Sequence, residues 1–157
     1  MTSKEIRIAY SEYESVEQME QQERELVEAA IDAIQGSYAP YSKFNVGAAV
    51  RLDNGEIIQG ANQENAAYPS GICAERTAMF YASAKYPENA ITAIAIGASQ
   101  QDVLCSNPVS PCGACRQVMA EYQTKGGQPM TIFLIGSEKI WKFEKVNDLL
   151  PLIFDSL

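Results

Sequence analysis

The chain has 157 residues, 46% of them hydrophobic, and a formal net charge of -8. That length predicts one globular domain with a buried core, and the acidic field disfavours nucleic acid and anionic membrane surfaces while favouring a neutral or cationic substrate. There are no histidines, which excludes Ser-His-Asp and Cys-His nucleophile systems and every imidazole ligand, so a catalytic metal would have to be held by Cys, Asp or Glu.

Residues 1–16 are polar and acidic without a sustained period and read as a frayed extension or an early helix, with the domain proper expected over 17–157. Between Glu17 and Gln35, the residues Leu26, Val27, Ala30, Ile31 and Ile34 form the apolar stripe of an amphipathic helix, stopped by Gly36. Lys43–Leu52 then alternates, with Phe44, Val46, Ala48, Val50 and Leu52 on one face. Asp53-Asn54-Gly55 supplies the positive-φ residues of a hairpin turn into Glu56–Asn62. After Pro69 and Gly71, a helix over Cys73–Lys85 leads into a buried strand at Ala90–Ala98. A loop at Ser106–Pro111 precedes a second cysteine-led helix, Cys112–Lys125, and strands follow at Met130–Gly136 and Ile140–Val146. A helix followed by ββαβαββ predicts an α/β fold of three layers around a mixed sheet.

Four cysteines, Cys73, Cys105, Cys112 and Cys115, are spaced too unevenly for a disulfide framework and point to a reducing, cytoplasmic setting. The N-terminus has neither a signal-peptide nor a transit-peptide pattern, and no apolar run reaches membrane-spanning length. Cys112 and Cys115 lie one helical turn apart, so both sulfurs can project from the start of the same helix. Cys73 opens another helix, with Glu75 two places on. Both clusters face the space off a helix N-terminus, where the dipole and unpaired N–H groups favour thiolate over thiol. Three thiolates on Zn²⁺ leave a net negative charge, which Arg76 is placed to offset. Three protein ligands also leave the fourth tetrahedral position for water, whose pKa the metal lowers from ~15.7 toward ~7. Glu75 would then carry protons from water to substrate. Other readings of the same residues stay open: a Cys112–Cys115 redox pair, a structural site closed by Cys105 as fourth ligand, or Arg76 and Glu75 as ordinary helix residues. Beside a strand, Cys105 reads more naturally as a small apolar residue.

Four segments together resemble the small, homotetrameric class of cytidine deaminases. They are Tyr41-Ser42-Lys43-Phe44-Asn45-Val46-Gly47-Ala48-Ala49, Asn62-Gln63-Glu64-Asn65, Cys73-Ala74-Glu75-Arg76-Thr77-Ala78 and Ser110-Pro111-Cys112-Gly113-Ala114-Cys115-Arg116-Gln117. The resemblance spans about Ala39 to Phe154 and implies a five-stranded mixed sheet between helices. It implies one zinc ion per chain on Cys73, Cys112 and Cys115, with Glu75 as proton shuttle and Arg76 hydrogen-bonded to the sulfurs. Phe44 would pack on the base, Asn62 and Glu64 would hold the ribose 3′-hydroxyl, and the backbones of Ala74 and Ser110 would read the pyrimidine edge. Neighbouring subunits of a homotetramer would complete each site, through Tyr68 and Phe154. The implied substrate is cytidine or deoxycytidine, with a different aminopyrimidine such as blasticidin S as the rival; nucleotides and nucleic acid fit the acidic balance less well. The acidic extension has no counterpart in this pattern.

Overall fold

The computed structural model describes residues 1–155; positions 156 and 157, the last two of the expected domain, lie outside the described residues. The sheet is built from β1 (Ser11–Tyr13), β2 (Phe44–Leu52), β3 (Ile57–Ala61), β4 (Ile91–Gln100), β5 (Val103–Leu104), β6 (Thr131–Ile135) and β7 (Ile140–Phe143). Three helices accompany it: α1 (Gln21–Ala33), α2 (Ala74–Lys85) and α3 (Gly113–Gly126). The strand order is β1-β7-β6-β4-β2-β3, with the short β5 paired to the end of β4. β4 and β6 run parallel and the other pairs antiparallel. A parallel pair needs a crossover, and α3 supplies it.

Both faces of the central strands are buried, which makes the fold three-layered. On one face, Leu26, Val27 and Ala30 of α1 pack on Ala49, Ala95, Phe133 and Ile135. On the other, Met79 of α2 and Met119 of α3 pack on Val50, Ile94, Ile96, Ile132 and Leu134. Alternate residues of β2, β4 and β6 therefore serve opposite helical layers. Two glycines let the helices approach the sheet backbone. A Cβ at Gly47 would lie 2.3 Å from the Ala30 carbonyl oxygen of α1, and one at Gly60 would lie 2.5 Å from the Ala78 nitrogen of α2.

Several expectations need correction. The sheet has seven strands rather than five, because β1 and β5 are too short to carry a visible alternation. Ser11–Tyr13 is neither frayed nor helical but pairs with Ile140–Lys142. Tyr10 packs beside it, tilted against Trp141 and stacked on Phe143, with ring centroids 5.2 and 5.3 Å apart, and the Trp141 indole N–H donates to Glu12 at 2.7 Å. The first helix starts at Gln21 rather than Glu17, because Glu20 and Glu23 form a reciprocal capping box there. Residues 16–18 make a separate 3₁₀ turn. In the hairpin turn, Gly55 alone has positive φ, at 89°. The last strand ends at Phe143, and Val146 belongs to a 3₁₀ turn.

Candidate active site

The two cysteine-led helices begin one residue later than the sequence spacing implied, and this places the sulfurs. Cys73 and Cys112 are N-caps with extended backbone, at φ,ψ of -75°,152° and -65°,162°. The Cys112 sulfur accepts the Cys115 N–H at 3.4 Å, as a Ser or Asp cap would accept it. Cys115 lies in the first turn of α3 and is fully buried. The Sγ atoms of Cys73, Cys112 and Cys115 all lie within 4.8 Å of one another, and those of Cys73 and Cys112 are 4.0 Å apart. Tetrahedral zinc with Zn–S bonds of ~2.3 Å separates its sulfurs by ~3.8 Å, so the three thiols fit that ion. Cys105 is not in the group: its N–H bonds the Ala98 carbonyl beside β5. A structural site closed by Cys105 therefore lacks its fourth ligand.

Charge at the site follows from the same contacts. A hydrogen bond from Cys115, with help from Arg76, pulls the Cys73 thiol down to about 5. Cys115 is pushed the other way by that shared bond and by burial. Arg76 donates from Nη2 to Cys73 Sγ at 3.5 Å. Its Nε is buried without a hydrogen-bond partner. Glu75 is only 4% exposed, and burial first, then the charge on Cys73, raises its carboxyl above the ordinary carboxylate range. A general acid–base group works best with its pKa close to the operating pH, and burial moves Glu75 in that direction.

A cavity of about 400 Å³ opens beside the sulfurs. Cys73, Ala74, Glu75, Arg76 and Cys112 line it on the helix side, with Ser110 from the loop before α3. Phe44, Asn62, Glu64 and Tyr68 line it farther out. Every predicted site residue thus meets at one cavity except Cys115, which lies behind it, and Phe154, which lies elsewhere. Tyr68 stands 77% exposed on the cavity of its own chain. Phe154 is 66% exposed, and its backbone is gripped on both sides by the Gln117 carboxamide, at 2.8 and 3.3 Å.

The outer polar residues are held by backbone groups. Asn62 Oδ1 accepts from the Val46 N–H at 2.8 Å and from the Ser37 hydroxyl, while its Nδ2 donates to the Phe44 carbonyl at 3.0 Å. That fixes the orientation of the carboxamide and leaves one N–H for the cavity. Glu64 Oε2 accepts from the N–H groups of Tyr41 and Ser42 at 2.9 and 3.2 Å. Sequence reasoning missed Ser37, whose partner is 25 positions away, and gave Arg116 no role. Arg116 joins the Pro111 and Leu149 carbonyls, both at 2.9 Å, and so pins the loop that delivers Cys112.

Three sulfurs at two helix N-termini, beside a buried carboxyl that is not a ligand, define a zinc-dependent hydrolytic site on a three-layer α/β/α fold. The family model for the cytidine and deoxycytidylate deaminase zinc-binding region matches residues 20–127. A cytidine deaminase from Halalkalibacterium halodurans is 50% identical over 96 residues, which are 61% of this chain and 68% of that protein. The crystal structure of cytidine deaminase from Burkholderia pseudomallei superposes with a TM-score of 0.71 at 40% identity, covering 87% of this chain and all of that one. The enzyme from Mycobacterium tuberculosis gives a TM-score of 0.66 at 31% identity, over 84% of this chain and 96% of that one. The chain belongs to the cytidine and deoxycytidylate deaminase family.

Proposed function

We propose that the chain hydrolyses the exocyclic amine of cytidine and deoxycytidine, giving uridine or deoxyuridine and ammonia. The observation that carries this reading is Glu75, a buried carboxyl poised beside three sulfurs at the floor of a cavity large enough for a nucleoside. Zinc held by Cys73, Cys112 and Cys115 supplies Lewis-acid activation of water at neutral pH. Glu75 takes a proton from the attacking water and delivers it to the ring nitrogen next to the carbon attacked, then takes the second proton from the new hydroxyl on that carbon and delivers it to the departing amine. Arg76 balances the thiolate charge. Phe44 packs on the base, the backbones of Ala74 and Ser110 read the pyrimidine edge, and Asn62 and Glu64 flank the sugar 3′-hydroxyl as donor and acceptor.

Charge favours a nucleoside over a nucleotide. The cavity is lined by Glu64 and Glu75, and among the described residues its one lysine or arginine is Arg76, already engaged with Cys73. A phosphate would meet no free cation there. The exposed Phe154, which lies away from the cavity of its own chain, supports a homotetramer in which each cavity is completed by neighbouring copies. A cytoplasmic setting suits thiols that must stay reduced to bind metal; no described helix is long and apolar enough to cross a membrane.

The test is ultraviolet absorbance of purified protein with cytidine, deoxycytidine, cytosine and CMP, with zinc measured on the same sample. Rapid loss of the cytidine and deoxycytidine bands, about one zinc per chain and no turnover of CMP are expected. A zinc-loaded protein inert on both nucleosides would sink the reading. Sedimentation velocity should give a tetramer, and a fully active monomer would end the shared-site proposal.

A further inference from the structure

The loop that brings Ser110 to the cavity is held at its two ends and not in between. At its start, the Cys105 and Ser106 carbonyls accept the Ser137 and Glu138 N–H groups at 2.9 and 3.1 Å. Gly136 lets the two segments touch, since a Cβ there would lie 2.5 Å from the Ser106 carbonyl oxygen. Among the described residues, no hydrogen bond fixes residues 107–110, although Val109 and Ser110 line the cavity. A stretch without bonds of its own takes its position from its ends.

The far end belongs to Arg116. Its backbone N–H donates to the Cys112 carbonyl at 3.0 Å and its Nε to the Pro111 carbonyl at 2.9 Å, so one residue holds two consecutive carbonyls. Nη1 donates to the Leu149 carbonyl, also at 2.9 Å, and Leu149 is itself packed into the core. Pro111 and Leu149 are both buried, and among the described residues no backbone N–H reaches either carbonyl. A planar guanidinium can serve two carbonyls from fixed directions, which the point donor of a lysine cannot.

We propose that Arg116 is a positioning residue: braced on the Leu149 carbonyl, it fixes the Pro111 carbonyl and so sets both the Ser110 backbone at the cavity and the Cys112 cap beneath it. The effect on base binding rests on the deaminase reading above, and the effect on metal retention does not. Arg116 is not among the residues that line the cavity, so it acts through its neighbours in the chain.

The test measures zinc transfer to a chromogenic chelator, and steady-state kinetics in excess zinc, for the full chain, Arg116→Ala and Arg116→Lys. Gln123→Ala is the control: farther along α3 and away from the cavity, the Gln123 carboxamide oxygen joins the Met130 and Val146 N–H groups at 3.1 and 3.0 Å. Arg116→Ala should release zinc about tenfold faster and raise KM for cytidine about tenfold, the scale of one hydrogen bond to a charged group. KM for 3′-deoxycytidine should rise by the same factor, because it carries the same base. Arg116→Lys, which keeps the charge and the apolar stem, should behave more like alanine than like the parent. Gln123→Ala should lower the thermal midpoint and leave zinc release and KM where they were. Parent-like zinc release or KM in Arg116→Ala, full rescue by lysine, a loss confined to one of the two nucleosides, or the same losses in Gln123→Ala would each overturn the proposal. A second readout needs neither a variant nor turnover: exchange of the Arg116 Nε–H with solvent, followed by NMR in the parent chain. It should be far slower than that of Arg7, whose side chain is 87% exposed, and equal rates refute the clamp. A parent chain that ignores cytidine would sink the deaminase reading, while zinc release and Nε–H exchange would still decide whether Arg116 holds the loop.

Discussion

The two ends of the cavity are built by different means. The sulfur end is made of helix N-caps: Cys73, Cys112 and Cys115 sit at the first turns of α2 and α3, and Glu75 is closed off from solvent. The sugar end is made of turns and strand ends, where Asn62 and Glu64 are held by main-chain groups of the 38–46 segment. Helices packed on a sheet fix the reacting groups rigidly, whereas recognition hangs on a few hydrogen bonds near water. Changes at the sulfur end should therefore be all or nothing, and changes at the sugar end graded.

The sharpest way to break that contrast is Cys115→Ser. It removes a buried ligand, and it should abolish both bound zinc, read by elemental analysis, and turnover; a variant that keeps metal and activity would contradict the three-sulfur site. Next, Glu75→Ala should keep zinc and the thermal transition of the parent yet lose roughly 10³-fold in kcat, within the ~10²–10⁴ expected for a proton-transfer group. Activity within about tenfold of the parent would place the shuttle elsewhere. Gly60→Ala tests the support beneath that end. Its Cβ would lie 2.5 Å from the Ala78 nitrogen and 2.7 Å from the Ala74 carbonyl oxygen, so α2 must lift, at a cost of about 1–3 kcal/mol for overpacking. The midpoint of denaturation should fall accordingly, and zinc affinity with it. The smallest effect belongs to the sugar end. Ser37→Ala leaves the Asn62 carboxamide two of its three protein hydrogen bonds, so KM for cytidine should rise only about threefold, within the ~1 kcal/mol typical of a neutral hydrogen bond. A hundredfold loss would show that the graded end is not graded.

The sulfur end was also the more legible in the sequence, for a physical reason. Cysteines one helical turn apart fix their geometry locally, so spacing paired Cys112 with Cys115, while Cys73, 39 positions from Cys112, was joined to them by the family resemblance. The alternation of β2 and the hairpin at Gly55 were equally local. What stayed hidden depends on contacts between distant segments. Nothing near Ser37 announces Asn62, and nothing near Arg116 announces the Leu149 carbonyl that it holds. β1 escaped because three residues cannot show a period, and its pairing partner lies at the far end of the chain. The helix starts were misplaced by one residue at Cys73 and Cys112 because cysteine is not among the usual capping residues. Its sulfur nevertheless caps α3.

The docking of that first strand has an optical consequence. Trp141 is the single tryptophan of the chain, and its indole is bonded to Glu12 and covered by Tyr10. Its fluorescence therefore reports on the seating of residues 10–13 against β7. Emission that shifts on N-terminal truncation but not on zinc removal would show that the chain's amino-terminal edge and its metal site can be observed, and loosened, separately.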